Sequence, residues 1–286
     1  MRRLAAGAGG RHTRPMLHLI ATSFWLGLAV KAVLTALIVV GALTAAERAG
    51  PFWGGLIASF PIAAGPAYVL LALQHDARFI AASALESFTV NAGTWLFLLV
   101  LIRIGPRVRP ALALGGALGA WALTAATVTL LPWTAVSASA LNVVVLGLCL
   151  WLSRGVRMPV GLARPARRWF DLPMRGLVVA ALVTTVVGLS RVLGPTVTGI
   201  GAVFPIAFSS LGLLALTRLG GAATAALMAN AMRALPGFAL AVLTLHLAAV
   251  PLGSFPAMGV ALAVNVAWAL GLLARRYRRR PAAIAA

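Results

Sequence analysis

The sequence predicts an all-α polytopic membrane protein with about nine transmembrane helices in two homologous units. Hydrophobic residues make up 62% of the 286-residue chain, only 10% of residues are charged, and the mean hydropathy is +1.00. A soluble domain is typically about a quarter charged. Apolar runs of the ~20 residues needed to cross a hydrocarbon core recur along the whole chain. We therefore expect membrane spans throughout and no soluble domain.

Charged residues and Pro/Gly-rich breaks separate the apolar runs and so delimit the predicted elements. A tail that includes an interfacial helix occupies 1–27, the first unit 28–153, a basic cytoplasmic linker 154–172, and the second unit, with its basic tail, 173–286. The start of the chain has some features of a cleaved signal, but Lys31 interrupts its apolar stretch, so we expect a mature helix there. The predicted spans lie near 28–47, 51–73, 79–102, 110–131, 135–153, 174–191, 195–217, 222–248 and 256–274.

The net charge of +20 comes from arginines that lie between the apolar runs. They form no basic face interleaved with aromatic residues, so we expect no nucleic-acid partner. Instead, the positive-inside rule predicts that the basic groups at 103–109, 154–168 and 275–280 face the cytoplasm, as in a multi-pass inner-membrane protein whose C-terminus is inside. The basic tail at 2–14 disagrees with this orientation. The single cysteine, Cys149, excludes an internal disulfide, and we expect no cofactor and no metal site.

An internal repeat appears when the chain is shifted by 144 positions. The segment 50–63 then falls on 194–207, and eight of the fourteen positions are identical, including paired Gly-Pro and Phe-Pro. Five predicted spans separate the starts of the two units, so the units would enter the membrane in opposite senses. An inverted repeat of this kind is common among secondary transporters. One miscounted span would instead make the repeat parallel.

The repeated Phe-Pro pairs place Pro61 and Pro205 inside predicted spans. Proline removes an amide donor and leaves backbone carbonyls without partners, which lipid does not satisfy. We expect two interrupted helices that face each other and whose free carbonyls hold a polar ligand or an ion. The alternative is a pair of plain proline kinks that improve packing.

Lys31 is the only lysine in a chain with 23 arginines, and the repeat aligns it with Arg175. A single lysine near or within a membrane span favours a role for its compact ammonium group. The alternative is that both cations anchor helix ends at the interface.

Glu86 is the only carboxylate inside a predicted span, and the repeat aligns it with Asn230, with Arg233 one helical turn later. A carboxylate in the membrane is costly unless it is paired or protonated. If the third and eighth spans meet, Glu86 could pair with Arg233 or Lys31. We expect either a proton- or cation-coupling group or a structural ion pair that locks the units together.

Lys31 lies early in the first helix. The second helix of each unit carries a Gly-Pro and a Phe-Pro pair, namely Gly50-Pro51 with Phe60-Pro61 and Gly194-Pro195 with Phe204-Pro205. In these features the chain resembles uncharacterised bacterial duplicated membrane proteins of permease-like architecture. The resemblance covers about 28–275 and implies no substrate. Excess basic charge near the centre favours an anionic or zwitterionic solute, moved with a coupling proton or cation. The alternative function is structural or assembly work in the membrane. No catalytic constellation is visible, so we do not expect an enzyme.

Overall fold

The computed structural model of the protein describes residues 64–156 and 171–278, together with the single positions 27, 30, 33, 37 and 41. Every regular element in these ranges is an α-helix, and no strand occurs among them. The helices are α1 (Ala64–Ala72), α2 (Ala77–Ile104), α3 (Pro110–Val128), α4 (Ala135–Leu152), α5 (Asp171–Ala202), α6 (Ile206–Arg218), α7 (Gly221–Ala234), α8 (Pro236–Leu252) and α9 (Ser254–Arg278).

Local sequence signals set where the helices of the first unit begin. Asp76 caps α2, because its Oδ1 accepts the backbone N–H of Phe79 at 2.9 Å. Pro110 opens α3 at a position where the missing amide costs nothing. Thr134 and Ser137 form a reciprocal capping box at the start of α4. These three starts lie within two residues of the predicted span boundaries.

Six segments of the described chain are long and apolar enough to cross a membrane. They are Ala77–Ile104, Pro110–Val128, Ala135–Leu152, Gly176–Arg218, Gly221–Leu252 and Ser254–Arg275. An all-helical chain with this many apolar segments is a multi-pass membrane protein. Most of the first two predicted spans lies outside the described residues, although Val30, Val33 and Leu37 are helical and exposed.

The segment Gly176–Arg218 contains 43 residues, about twice what one crossing needs. It is broken twice. Gly194 has φ 69° and ψ 179°, a conformation that is open essentially to glycine alone. The chain then forms the half-helix 195–202, leaves helical geometry, and resumes as α6 after Pro205. The sequence thus correctly predicted an interruption at Phe204-Pro205.

Helix α2 lies at the centre of the bundle and packs against α3, α4, α5, α7 and α8. Its central position buries most of its surface, including Trp95, Phe97 and Leu98. Helices α3 and α4, by contrast, leave large apolar side chains such as Leu123 and Val143 exposed, as expected of surfaces that face lipid.

Helix α2 and the α7–α8 segment run antiparallel. Near the start of α2, the Ala81 carbonyl lies 2.8 Å from Nδ1 of His246, which is late in α8. At the other end, Gly221 opens α7 so close to Pro106 that an added Cβ would lie 2.3 Å from the Pro106 Cα. The predicted third and eighth spans therefore do meet, along most of their length.

Equivalent positions of the two units make equivalent contacts. Helices begin at Ala77 and Pro110, and also 144 residues later, at Gly221 and Ser254. A Cβ added at Gly93 would lie 3.0 Å from the Thr124 Cβ and 3.3 Å from the Trp121 ring. At the positions 144 residues later, a Cβ added at Gly237 would lie 2.6 Å from Trp268 and 2.7 Å from Asn265. The same close helix crossing thus occurs twice in the chain.

One end of the bundle collects basic side chains. Arg103 and Arg107 lie at the C-terminal end of α2, and Arg103 donates to the carbonyl of Leu152 at the end of α4. Arg154 follows α4, and Arg218 ends α6 next to the start of α7. We call this the basic end. The opposite end, where α2 begins, carries the turn 73–76 between α1 and α2.

Candidate functional site

Glu86 lies on α2 nine residues after the helix begins, about 14 Å from its first residue at 1.5 Å per residue. Its Oε1 accepts a long hydrogen bond of 3.4 Å from the Thr196 hydroxyl, in the first turn of the half-helix 195–202. Its Oε2 is buried and has no hydrogen-bond partner. The carboxyl group is therefore only half satisfied, inside an apolar helix.

The half-helix packs directly on this part of α2. Gly199 approaches so closely that an added Cβ would lie 2.2 Å from the Ser83 carbonyl oxygen and 2.9 Å from the Glu86 Cβ. Any larger residue would push the half-helix away from Glu86. Gly199 is thus the position that sets the distance between the two elements.

A chain of hydrogen bonds joins three elements beside Glu86. Ser87 on α2 donates to the Gly199 carbonyl at 2.6 Å, and its oxygen lies 2.7 Å from the Tyr68 hydroxyl of α1. Because the Ser87 proton goes to Gly199, the Tyr68 hydroxyl is the donor to Ser87. We call the group formed by Tyr68, Ser83, Glu86, Ser87, Thr196 and Gly199 the half-helix site.

Further buried oxygens at this interface have no hydrogen-bond partner in the described structure. The Ser83 hydroxyl on α2 and the Thr198 hydroxyl on the half-helix are fully buried, and neither is bonded. Buried polar groups in folded proteins are nearly always satisfied, and each unsatisfied one costs about 1–3 kcal/mol. Hydroxyl, carboxyl and carbonyl oxygens of this kind suit a proton, a water molecule or an oxygen-coordinated cation.

Asn230 and Arg233, the counterparts of the Glu86 turn, lie on an exposed face of α7. The Arg233 guanidinium donates to the Asn230 side-chain oxygen at 3.1 Å. Arg233 stands about 18 Å along the α7–α8 segment from its start at the basic end, at the depth of the hydrocarbon core. The predicted pairing of Glu86 with Arg233 is therefore not found: the carboxylate meets Thr196, and the arginine meets Asn230.

Pro205 lies at the interruption between the half-helix and α6. The preceding residue, Phe204, packs edge-to-face on Trp121 at 5.0 Å between ring centroids, and Trp121 also lies beside Gly93, close to the midpoint of α2. The helix is thus interrupted near the middle of the bundle. Lys31 and Pro61 lie outside the described residues. Arg175 is helical in α5, but its side chain is outside the described part, so its role and the pairing of Glu86 with Lys31 stay predictions.

Asn142 on α4 lies in a buried hydrogen-bond network. Its oxygen accepts from Asn91 at 3.2 Å and from the Trp95 indole at 3.1 Å, while its amide donates to the Phe88 carbonyl at 2.8 Å. This network ties α4 to α2. We assign it to packing, because protein atoms already engage both ends of the Asn142 amide.

The sequence reasoning selected Glu86 but missed its neighbours. Ser83 and Ser87 lie three residues before and one residue after Glu86, on adjoining faces of the same helix, so helical spacing could have joined all three. Thr196 and Thr198 of the second unit stand where the first unit has Phe52 and Gly54. This difference between the two units was the signal in the sequence that could have indicated a polar site on the half-helix. No sequence signal indicates Tyr68, because its contact depends on how α1 packs.

The helices and the half-buried carboxyl define a multi-pass helical membrane protein with a polar group in its interior. Among the described residues, no cluster of three or more His, Cys, Asp or Glu could hold a metal ion. In comparisons with protein-family models, curated proteins and solved structures, nothing matches this chain. Its function must therefore be argued from its own residues.

Proposed function

We propose that the protein is a secondary transporter of the inner membrane that moves a small anionic or zwitterionic solute by alternating access. The observation that carries the proposal is the Glu86 carboxyl, which lies within a span against an interrupted helix with one oxygen unpartnered. Ionisable groups inside spans are rare, and they mark ion pathways and proton relays. Interrupted helices at repeat interfaces form the binding sites of several transporter folds.

The proposal includes an inverted repeat, and the directions of the paired helices support it. Helix α2 and its counterpart α7–α8 run antiparallel, as an inverted pair requires. The segment from Gly194 to Arg218 crosses the bundle once: Thr196 is level with Glu86, and Gly212 meets Leu101 nearer the basic end. Counting this segment separately from the earlier part of α5 gives seven crossings in the described residues. With the two predicted spans before Ala77, the proposed total is nine.

In this proposal the two units have different roles. The half-helix site binds the coupling proton on Glu86, because protonation removes the charge of a carboxylate whose Oε2 is buried and has no hydrogen-bond partner. The Asn230–Arg233 pair binds the carboxylate of the solute, since an exposed guanidinium at hydrocarbon depth needs an anionic partner. The first unit thus supplies a carboxyl group, and the second unit supplies a guanidinium group.

Transport by purified protein in liposomes that contain a pH-sensitive dye tests the proposal. We expect at least one organic acid or amino acid to drive proton entry with the wild-type protein. Glu86→Gln should keep solute exchange but lose proton entry, whereas Arg233→Gln should weaken solute binding, by about tenfold or more for one lost charge-assisted contact. Arg154→Gln, an exposed arginine at the basic end, is the matched control and should behave as wild type.

Unchanged proton coupling in Glu86→Gln would remove the coupling role. If no solute moved with the wild-type protein and both variants only lowered the melting temperature, the transporter proposal would fail.

A structural or assembly role is the second candidate, and close packing around α2 favours it. Added Cβ atoms at Gly199, Gly212 and Gly221 would all lie within 3.0 Å of atoms of α2 or of the turn that follows it. A centre this tightly packed suits a rigid scaffold. Under this reading the neutral variants Glu86→Gln and Arg233→Gln would be tolerated wherever the fold survives.

A further inference from the structure

A groove lies between α8 and α9, away from the half-helix site. Its volume is about 250 Å³, and its walls are almost entirely apolar. Leu240 contributes from α8, whereas α9 contributes Val264, Trp268, Gly271 and Leu272, with Arg275 at one end. Nothing in the proposed transport function uses this groove.

The groove runs from the interior of the membrane towards its basic face. Val264 and Arg275 are eleven residues apart on α9, about 16 Å along the helix axis. Helix α9 begins next to the end of α8, at the end opposite the basic end, so Arg275 lies towards the basic end. The apolar groove therefore lies at the depth of the hydrocarbon core and ends beside the exposed guanidinium of Arg275, at the depth of the membrane interface.

The space in the groove comes from a missing side chain. A Cβ added at Gly271 would meet no atom within 4 Å, although the same position faces the groove. In the first unit, Thr127 and Leu131 stand where Gly271 and Arg275 stand in the second. The combination of the glycine and the terminal cation is thus specific to the second unit.

We infer that this groove binds an anionic phospholipid, with an acyl chain along Leu240, Val264 and Leu272 and the phosphate on Arg275. The apolar walls match an acyl chain, and the guanidinium forms charge-assisted hydrogen bonds to phosphate. Four arginines at 276–280 follow Arg275 in the sequence and raise the positive potential there. Basic pockets between helices on the cytoplasmic side favour anionic over zwitterionic headgroups.

Lipid titration of the full-length protein in detergent tests this inference, with native mass spectrometry or thermal unfolding as the readout. Phosphatidylglycerol and phosphatidylcholine with identical acyl chains are the probes. We expect phosphatidylglycerol to bind more tightly. Arg275→Gln should weaken its binding about fivefold, the value of one interfacial cation, and should leave phosphatidylcholine binding unchanged. Gly271→Leu should fill the groove and reduce the binding of both lipids.

Two variants serve as matched controls. Arg154→Gln removes an exposed arginine at the same face but outside the groove. Gly259→Leu adds the same side chain on α9 at a glycine that also meets no atom within 4 Å. Both should bind the two lipids as wild type does.

Equal binding of the two lipids to the wild-type protein would overturn the inference. So would a loss in Arg275→Gln no larger than in Arg154→Gln, which would indicate a diffuse basic face. If Gly271→Leu and Gly259→Leu bound lipid equally, the acyl chain would not occupy the groove. None of these outcomes bears on solute transport, which the Glu86 and Arg233 variants test.

Discussion

Single glycines decide how closely the helices of this protein approach each other. At Gly199 the half-helix lies against the backbone of α2, with the Ser83 carbonyl where a Cβ would stand. Small residues at such crossings are the usual means of helix association in membranes, where apolar side chains gain nothing by leaving lipid. The contacts that position Thr196 against Glu86 therefore depend on the absence of one methyl group.

Replacing Gly199 by alanine should destabilise the protein by about 1–3 kcal/mol, the usual cost of overpacking. The added Cβ would meet backbone atoms, which cannot rotate away. The melting temperature in detergent measures the effect. Gly115→Ala on α3 is the control, because a Cβ there meets no atom within 4 Å, and it should melt as wild type does. Equal melting temperatures for the two variants would show that the half-helix moves aside freely.

At the scale of elements, the turn 73–76 holds α5 just before its break. His75 Nε2 lies 2.7 Å from the Ser190 hydroxyl, which itself donates to the Val187 carbonyl. His75 is therefore the donor in this contact, and its ring also stacks on Phe79 at 3.7 Å. The contact fixes α5 at Ser190, four residues before its break at Gly194, where the half-helix turns into the bundle.

This contact should make stability depend on pH. Burial of the ring, and secondarily the nearby Arg191 cation, lower the pKa of His75 below its ordinary value of 6.5, while Asp76 acts weakly in the opposite direction. The folded state therefore favours neutral His75, and its stabilisation is complete above pH 6.5 and is lost as pH falls through the lowered pKa. The melting temperature of wild type should fall from pH 7.5 to pH 5 more than that of His75→Gln.

The difference between the two proteins isolates His75 from other titrating groups, since glutamine keeps a donor for Ser190 but does not titrate. Parallel pH profiles for the two proteins would contradict the assignment. The single variant Arg191→Gln, which keeps His75, should show a smaller pH effect than wild type, because the neighbouring cation would be gone.

At the scale of the whole molecule, the duplicated sequence gives paired helix starts and paired helix crossings. Gly93 and Gly237 meet the same two positions of the following helix, 144 residues apart. The two copies of this hairpin lie on opposite sides of a shared interface formed by α2 and α7–α8. In the transporter proposal, this interface is where one unit would rock against the other, the motion that alternating access requires.

The proposed inversion predicts which side of the membrane each loop faces. Val108, in the loop after α2, and Leu252, the last residue of α8, are equivalent positions in the repeat, and both are exposed. In a Cys149→Ala background, an impermeant maleimide added to intact cells should label Leu252→Cys, and should label Val108→Cys only after permeabilisation. Leu130→Cys and Arg154→Cys are the controls for the outer and inner sides. Labelling of Val108→Cys and Leu252→Cys from the same side would make the repeat parallel.

Much of the architecture could be predicted because hydropathy and the residues that begin or interrupt helices are local properties of the sequence. The starts of α2, α3 and α4 follow from Asp76, Pro110 and Thr134, and the break before α6 follows from Phe204-Pro205. Pro236 separates α7 from α8, but Leu235 keeps helical geometry and Gly221–Leu252 forms one apolar segment, as the predicted eighth span requires. The partner of Glu86 was missed: the repeat aligns Glu86 with Asn230 and so pointed to Arg233, whereas Thr196 bonds Glu86 in the structure.

By itself, then, the sequence determined that the chain lies in a membrane as helices, that it is duplicated, and that Glu86 is the exceptional carboxylate. These properties depend on side-chain solvation and on residues close together in the chain. Only the tertiary structure decided that the half-helix 195–202 lies on Glu86, that Tyr68 and Ser87 complete the group, and that Arg233 bonds Asn230. Contacts between residues about 110 positions apart depend on how helices cross, and in lipid that is set by small residues and close packing rather than by hydrophobicity.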